Sequence, residues 1–322
     1  MNLPAGYVAR GATRADIDGM LAVLHAGDVL AVGEPDTPRD FVDEVFASPF
    51  LDPSRDIWVI EDRHGIVACA DLQAVNPSVS CDAFARVHPE HTGRGLSTAL
   101  LDTAEARARE RTAGAERTKL WSTADPSDEA GISLLRSRGG SHIRSFLHME
   151  RALDDLANDE PVTQARLPEG VRFRAFRSDD AADWETFHRV LEASFSDHFG
   201  FEPIDLDTFV TMWTSFPTWD PTLVTFAETE DEVVGLVVSN VTEATGLGWL
   251  SDVGVLPAYR GRGIAKALLG RALADLRAKG CDRVRLNVDS ENTTGATRLY
   301  EGVGMHVHRE WMVFEKVLEA GG

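Results

Sequence analysis

Three cysteines in 322 residues, Cys69, Cys81 and Cys281, are too few and too irregularly spaced for a disulfide framework or a metal site. They read as reduced thiols in the core. Basic residues are also scarce, 32 Lys and Arg against 52 Asp and Glu, giving a formal net charge of −20. That balance disfavours phosphate backbones and anionic lipid surfaces, so neither nucleic acid nor membrane is expected as a partner. No apolar run of bilayer length and no signal-peptide opening are present, which predicts a cytoplasmic protein. What remains is a small molecule, above all a cationic one, handled by a monomer or homodimer.

The richest stretch runs from Trp249 to Ala278. Leu250 to Val255 is short and β-branched, Pro257 ends it, and Ile264, Leu268, Leu269, Ala272, Leu273 and Leu276 recur at helical spacing. The spacing predicts strand, turn, helix. In the turn, Gly261 and Gly263 permit positive φ and close approach of a ligand to the backbone. Amides at a helix start favour anions, and Arg260 and Arg262 add donors suited to phosphate.

Arg260-x-x-Gly263-x-Ala265, following Val255-x-Pro257, resembles the acetyl-CoA loop of the GNAT N-acetyltransferase superfamily. Asn287 to Asn292, then Ala296, Leu299, Tyr300 and Gly304, resemble the family's later strand and the helix that meets the coenzyme. The resemblance implies α+β domains, each a mixed central sheet flanked by helices. It also implies acetyl-CoA as donor, held by Val253, Val255, Arg260, Gly261, Arg262, Gly263, Ile264, Ala265, Asn292 and Tyr300.

The motif occurs twice. Val87-His88-Pro89 and Gly93-Arg94-Gly95-Leu96-Ser97 repeat the turn, with Thr92 where Arg260 stands. Gly139 answers Gly304, an offset of 165 residues (304 − 139) that fits a duplicated domain. The openings match too, Arg10 to Asp16 against Arg174 to Asp180, and each copy carries a hairpin, the first through Asp62 to Gly65. Residues 1–153 are therefore expected as an N-terminal degenerate copy, 154–170 as a polar linker with Pro161 and Pro168, and 171–322 as the C-terminal catalytic copy. In the first copy Phe84 replaces Asp252, and Leu135 replaces Tyr300. Val87, Gly93, Arg94, Gly95, Leu96 and Ser97 form a second possible coenzyme site, in a copy whose expected role is structural.

Acetyl transfer needs a positioned amine, a base and a donor for the developing oxyanion. Carried over from the family, strand four parts from strand five to admit pantetheine, the Val253 amide faces the thioester oxygen, and Tyr300 protonates the leaving thiolate. Asp252 is the only carboxylate inside its strand and is the candidate base or amine-binding acid, because Trp249 occupies the family's usual Glu position. Asp252 reads equally as a carboxylate hydrogen-bonded at a bulge. Asp197 and His198, in the segment that shapes the family's acceptor pocket, are candidates for substrate binding; they also read as a turn cap and a core histidine. The tandem layout resembles the mycothiol synthases, which acetylate a cysteinyl amine on a sugar-inositol scaffold. Polyamines, aminoglycosides and protein amines are rival acceptors, and a non-catalytic acyl-CoA sensor is the rival from another class.

Overall fold

The computed structural model describes residues 1–74, 80–113, 116–154, 162, 166–242, 246–292 and 294–319. Two compact units emerge, one of Met1–Phe146 with Glu310–Gly322 and one of Leu147–Arg309.

The first unit begins with β1 (Val8–Gly11), α1 (Ile17–Val32), α2 (Arg39–Ala47), the single turn α3 (Pro53–Asp56), β2 (Ile57–Asp62), β3 (Gly65–Gln73) and β4 (Ser80–Val87). Then come α4 (Leu96–Arg111), β5 (Arg117–Ala124), α5 (Glu129–Ser137) and the opening half of β6 (Ser141–Ala152). β1 to β4 form an antiparallel meander, and β4 pairs in parallel with β5 from Ser80 to Ala83. Alternate side chains of these strands face opposite layers. Trp58, Ile60, Val67 and Leu72 meet Leu100 and Leu101 of α4, while Ile57, Val59 and Cys69 meet Met20, Val23 and Leu24 of α1. The sheet does not end at β5: Met312 to Glu319 pair with Ala124 to Arg117, antiparallel.

The second unit takes up β6 at Leu147 and continues through β7 (Arg172–Ala175), α6 (Ala181–Phe195), α7 (Leu206–Ser215), β8 (Val224–Glu228), β9 (Val233–Thr242) and β10 (Leu247–Val255). α8 (Ile264–Ala278), β11 (Arg283–Asp289), α9 (Ala296–Glu301) and β12 (His306–Glu319) complete the chain. Its strand order is β6-β11-β10-β9-β8-β7. One face packs on α8 through Val234, Val237, Leu250, Leu268 and Leu286. The other packs on α6 and α7 through a cluster centred on Phe187, which touches Trp184, Phe209, Trp213 and Phe226.

Both units are thus mixed sheets between helical layers, as the α+β reading expects. The segments 1–153 and 171–322 follow the repeat along the chain, whereas the units follow space. The reason is that β6 and β12 each divide, near Phe146 and near Arg309, and the last strand of one repeat completes the sheet of the other. Most of the expected linker, 155–161 and 163–165, lies outside the described residues.

Candidate active site

Strand β10 organises the site. Leu247 to Trp249 pair in parallel with Arg283 to Arg285, and there the ladder stops, although β10 runs on to Val255 and β11 to Asp289. The two strands part. Against β9, by contrast, β10 stays paired as far as Val255 opposite Gly235, with one irregularity: Leu250 faces Ser239, Asp252 faces Val238, and Ser251 is the extra residue of a bulge. Leu256 N donates to Val234 O, which fixes the alternation. Asp252 and Gly254 therefore aim their backbone groups at β9, and Val253 and Val255 aim theirs into the gap.

At the mouth of the gap lies the glycine turn. Gly261 and Gly263 have φ of +75° and +83°, and a Cβ at either would meet nothing within 4 Å. The turn is thus a cradle open to a ligand, in a conformation that glycine adopts without strain. Among the described residues the amides of Gly261, Arg262 and Gly263 donate to no backbone carbonyl. Ile264 and Ala265 follow in the first turn of α8, whose amides have no intrahelical acceptor. A pyrophosphate fits this row of donors.

The two arginines are placed differently from the phosphate-facing pair that the sequence predicts. Arg260 is drawn inward: Nη1 donates to Asp197 Oδ2 at 3.1 Å, Nη2 to Ser194 O at 2.9 Å and Nε to the Val255 carbonyl at 3.3 Å. Its guanidinium holds the Asp197 carboxyl below its ordinary range. Arg262 lies over the Tyr259 ring, 5.1 Å from its centroid, and donates to Ala258 O. Ser194 itself rests on β10, where a Cβ on Gly254 would meet its Cβ and Oγ at 3.0 Å. The end of α6 is thereby clamped to the glycine turn.

Asp252 is partly exposed, yet surrounded closely enough that burial pushes its carboxyl up to about 7, with no hydrogen bond contributing. Tyr300, on α9, packs against the α8 layer. Burial first, and the charge of Asp252 second, push its phenol up to about 12. The parted strands and α9 therefore bring these two side chains to one place. Asn292 turns its amide oxygen to Thr294 N, Thr294 Oγ1 and Ala296 N, capping the entry to α9. His198 packs edge-on against Phe195, centroids 4.5 Å apart, and burial lowers its pKa.

The first unit repeats the frame, with Phe84 and Leu135 where the second copy has Asp252 and Tyr300. Gly93 and Gly95 have φ of +74° and +81° with open space beside them, and Leu96 and Ser97 open α4. Arg94, however, donates to Tyr7 Oη and Glu90 O. β4 parts from β5 beyond Ala83, which leaves Val87 on the open side, but its register against β3 is unbroken from Asp82 to Val87. Among the described residues, this bulge belongs to the second copy alone.

Sequence reasoning offered a bulge only as one of two readings of Asp252, and it missed the clamp through Ser194 and a ring contact between Trp249 and His148 of β6, edge-on with centroids 5.7 Å apart. Each depends on pairing between distant segments, which single-sequence patterns do not carry.

A profile described as "Acetyltransferase (GNAT) family" matches residues 28–139 and 184–305. A mycothiol acetyltransferase of Frankia casuarinae is 32% identical over 296 residues, covering 88% of this chain and 79% of its own length. One of Streptomyces scabiei is 30% identical over 291 residues, covering 90% and 84%. Among solved structures, a GCN5-related N-acetyltransferase from Sphaerobacter thermophilus superposes with TM-score 0.83 at 28% identity, over 100% of this chain and 98% of the other. A tandem GNAT protein from the clavulanic acid biosynthesis pathway gives TM-score 0.71 at 17% identity, over 98% of each chain. With its two matched regions and its two mixed-sheet units, the chain belongs to the GNAT acetyltransferase family and is an acyltransferase of tandem GNAT architecture.

Proposed function

We propose that the second unit moves the acetyl group of acetyl-CoA to a primary amine of a small molecule, by direct attack in a ternary complex. The observation that carries this reading is the parting of β10 from β11 after Trp249, with Asp252 and Tyr300 at the opening. The Val253 and Val255 backbone edge receives the pantetheine arm, and the amides from Gly261 to Ala265 receive the pyrophosphate. Arg260 shapes this loop from behind, through Val255 and Asp197.

Asp252 accepts the proton of the attacking ammonium, for which a carboxyl near 7 is well matched at neutral pH. The amine then forms its bond to the thioester carbon while the Val253 N–H donates to the carbonyl oxygen as negative charge develops there. The C–S bond breaks, Tyr300, held protonated, gives its proton to the departing thiolate, and the second proton of the attacking nitrogen, released as the amide forms, restores the phenol by way of water. The relatives named mycothiol acetyltransferases support a small-molecule acceptor. Trp249 in place of the family's Glu puts the proton on Asp252 instead.

Calorimetric titration of acetyl-CoA into the protein and into Gly263→Asp tests the donor site. A binding event lost in the variant is expected. Persistence of all binding in Gly263→Asp would place the coenzyme elsewhere, and absence of binding to the unaltered protein would sink the reading.

A further inference from the structure

We propose that Thr218, Asn240 and Ser251 are positioning residues for acetyl transfer, a hydrogen-bonded chain that holds still the bulge from which Asp252 projects. This rests on the acetyl-transfer reading above.

Among the described residues the Asp252 carboxyl accepts no hydrogen bond and pairs with no cation, so its place depends on the strand beneath it. That strand is least secured just before it. From Leu247 to Val255 every residue of β10 has a partner on β9 except Ser251. An extra residue interrupts the ladder and leaves the strand bent at that point. A side-chain tie takes over. Ser251 Oγ donates to Asn240 Oδ1 at 3.4 Å, and Asn240 Nδ2 donates to Thr218 Oγ1 at 2.8 Å. Asn240 lies two places from Val238, the partner of Asp252, and therefore on the face that Asp252 shares. Thr218 precedes Trp219, whose ring packs against Trp184, Phe187 and Trp213 in the buried aromatic cluster. The chain thus runs from a packed core to the residue beside Asp252.

The first unit supplies a comparison inside the same molecule. Val87 and Val255 precede the two glycine turns 168 residues apart (255 − 87), and Phe84 and Asp252 keep that spacing (252 − 84). One step earlier it falls to 167, as for Asp82 and Trp249 (249 − 82), because Ser251 has no counterpart. Gln73, opposite Asp82, therefore stands where Asn240 stands opposite Trp249. Its Nε2 donates to Asp71 Oδ1 at 3.5 Å and its Oε1 accepts from Ser48 Oγ at 3.2 Å, neither of them on β4. The amide ties the neighbouring strand only in the copy that carries Asp252.

The test is a double-mutant cycle. Turnover is read as release of coenzyme A with whichever of L-cysteinamide, D-glucosamine and 1,4-diaminobutane the unaltered protein acetylates fastest. It is expressed per acetyl-CoA site counted by calorimetry, so that unfolded protein drops out of the rate. Asn240→Leu and Ser251→Ala should each lower kcat about tenfold, and Ser251→Thr, which keeps the hydroxyl, should recover most of that loss. In an Asp252→Asn background Asn240→Leu should change kcat by less than about twofold, because the group it positions is already gone. Equal losses in both backgrounds, no loss in either, or a Ser251→Thr variant as slow as Ser251→Ala would overturn the assignment. Turnover of none of the three amines by a protein that binds acetyl-CoA would instead sink the acetyl-transfer reading, and this role with it.

Discussion

The carboxyl of Asp252 and the phenol of Tyr300 feel one another: negative charge on the first makes ionisation of the second harder. A group pushed up to about 7 and another pushed up to about 12 stand on opposite sides of neutrality, one ready to take a proton and one certain to keep it. The pH profile of kcat/KM should therefore rise through about pH 7 as Asp252 ionises, with no alkaline loss from Tyr300 below pH 10. Asp252→Asn should lower kcat by about 10²-fold or more and abolish that rise. A rise that survives in the variant would assign the base to another group.

The same carboxyl has a cost in stability. Its folded-state value of about 7 lies above the ordinary carboxylate range, so the native state holds a proton that the unfolded chain has released. Stability from this group therefore falls as pH rises from about 4 to about 7. Asp252→Asn, isosteric and neutral, should melt higher than the unaltered protein at pH 8, with a smaller advantage at pH 5.5. An equal or lower melting temperature at pH 8 would show that the carboxylate is stabilised by the site.

Tyr300→Phe removes one proton donor and nothing else of the ring's packing. Turnover should drop by about 10- to 100-fold while acetyl-CoA binding, measured by calorimetry, stays within about twofold. Unchanged turnover would leave the thiolate to be protonated by water.

Asp197→Asn tests the clamp on Arg260. Losing the charge partner at 3.1 Å should leave the guanidinium held only by the Ser194 and Val255 carbonyls, loosen the loop it supports, and raise the KM for acetyl-CoA more than that for the amine. The reverse pattern would assign Asp197 to the acceptor.

In the first unit Asp56, fully buried, receives Arg107 Nε at 2.5 Å and Arg111 Nη1 at 2.6 Å. Asp56→Ala strands two guanidinium groups that are themselves largely covered, and should cost about 3–5 kcal/mol in chemical denaturation. A loss below about 1 kcal/mol would mean that solvent reaches the pair.

The glycine turn and the helix after it were readable in the sequence because their signals are local. Gly261, Gly263 and the helical spacing from Ile264 to Leu276 specify turn and helix within some 20 residues, and the hairpin of β2 and β3 announces itself at Asp62 to Gly65. The duplication was equally plain, since glycines at matching spacing survive even where Thr92 has replaced the arginine. The place of the bulge was not, beyond one of two readings of Asp252, because Ser251 becomes the extra residue only against β9. Nor was the fate of Arg260, whose partner Asp197 is 63 residues distant. The exchange of closing strands was hidden for a related reason: alternation marks β6 and β12 as strands without saying which sheet each will join.

That exchange sets the order in which the molecule can be finished. β5 is translated early, yet its neighbour, Met312 to Glu319, emerges almost two hundred residues later. On the ribosome the first repeat must wait with a bare sheet edge, a surface prone to adhere to other nascent chains, until the second has been made. A fragment cut after the first repeat would carry that edge permanently.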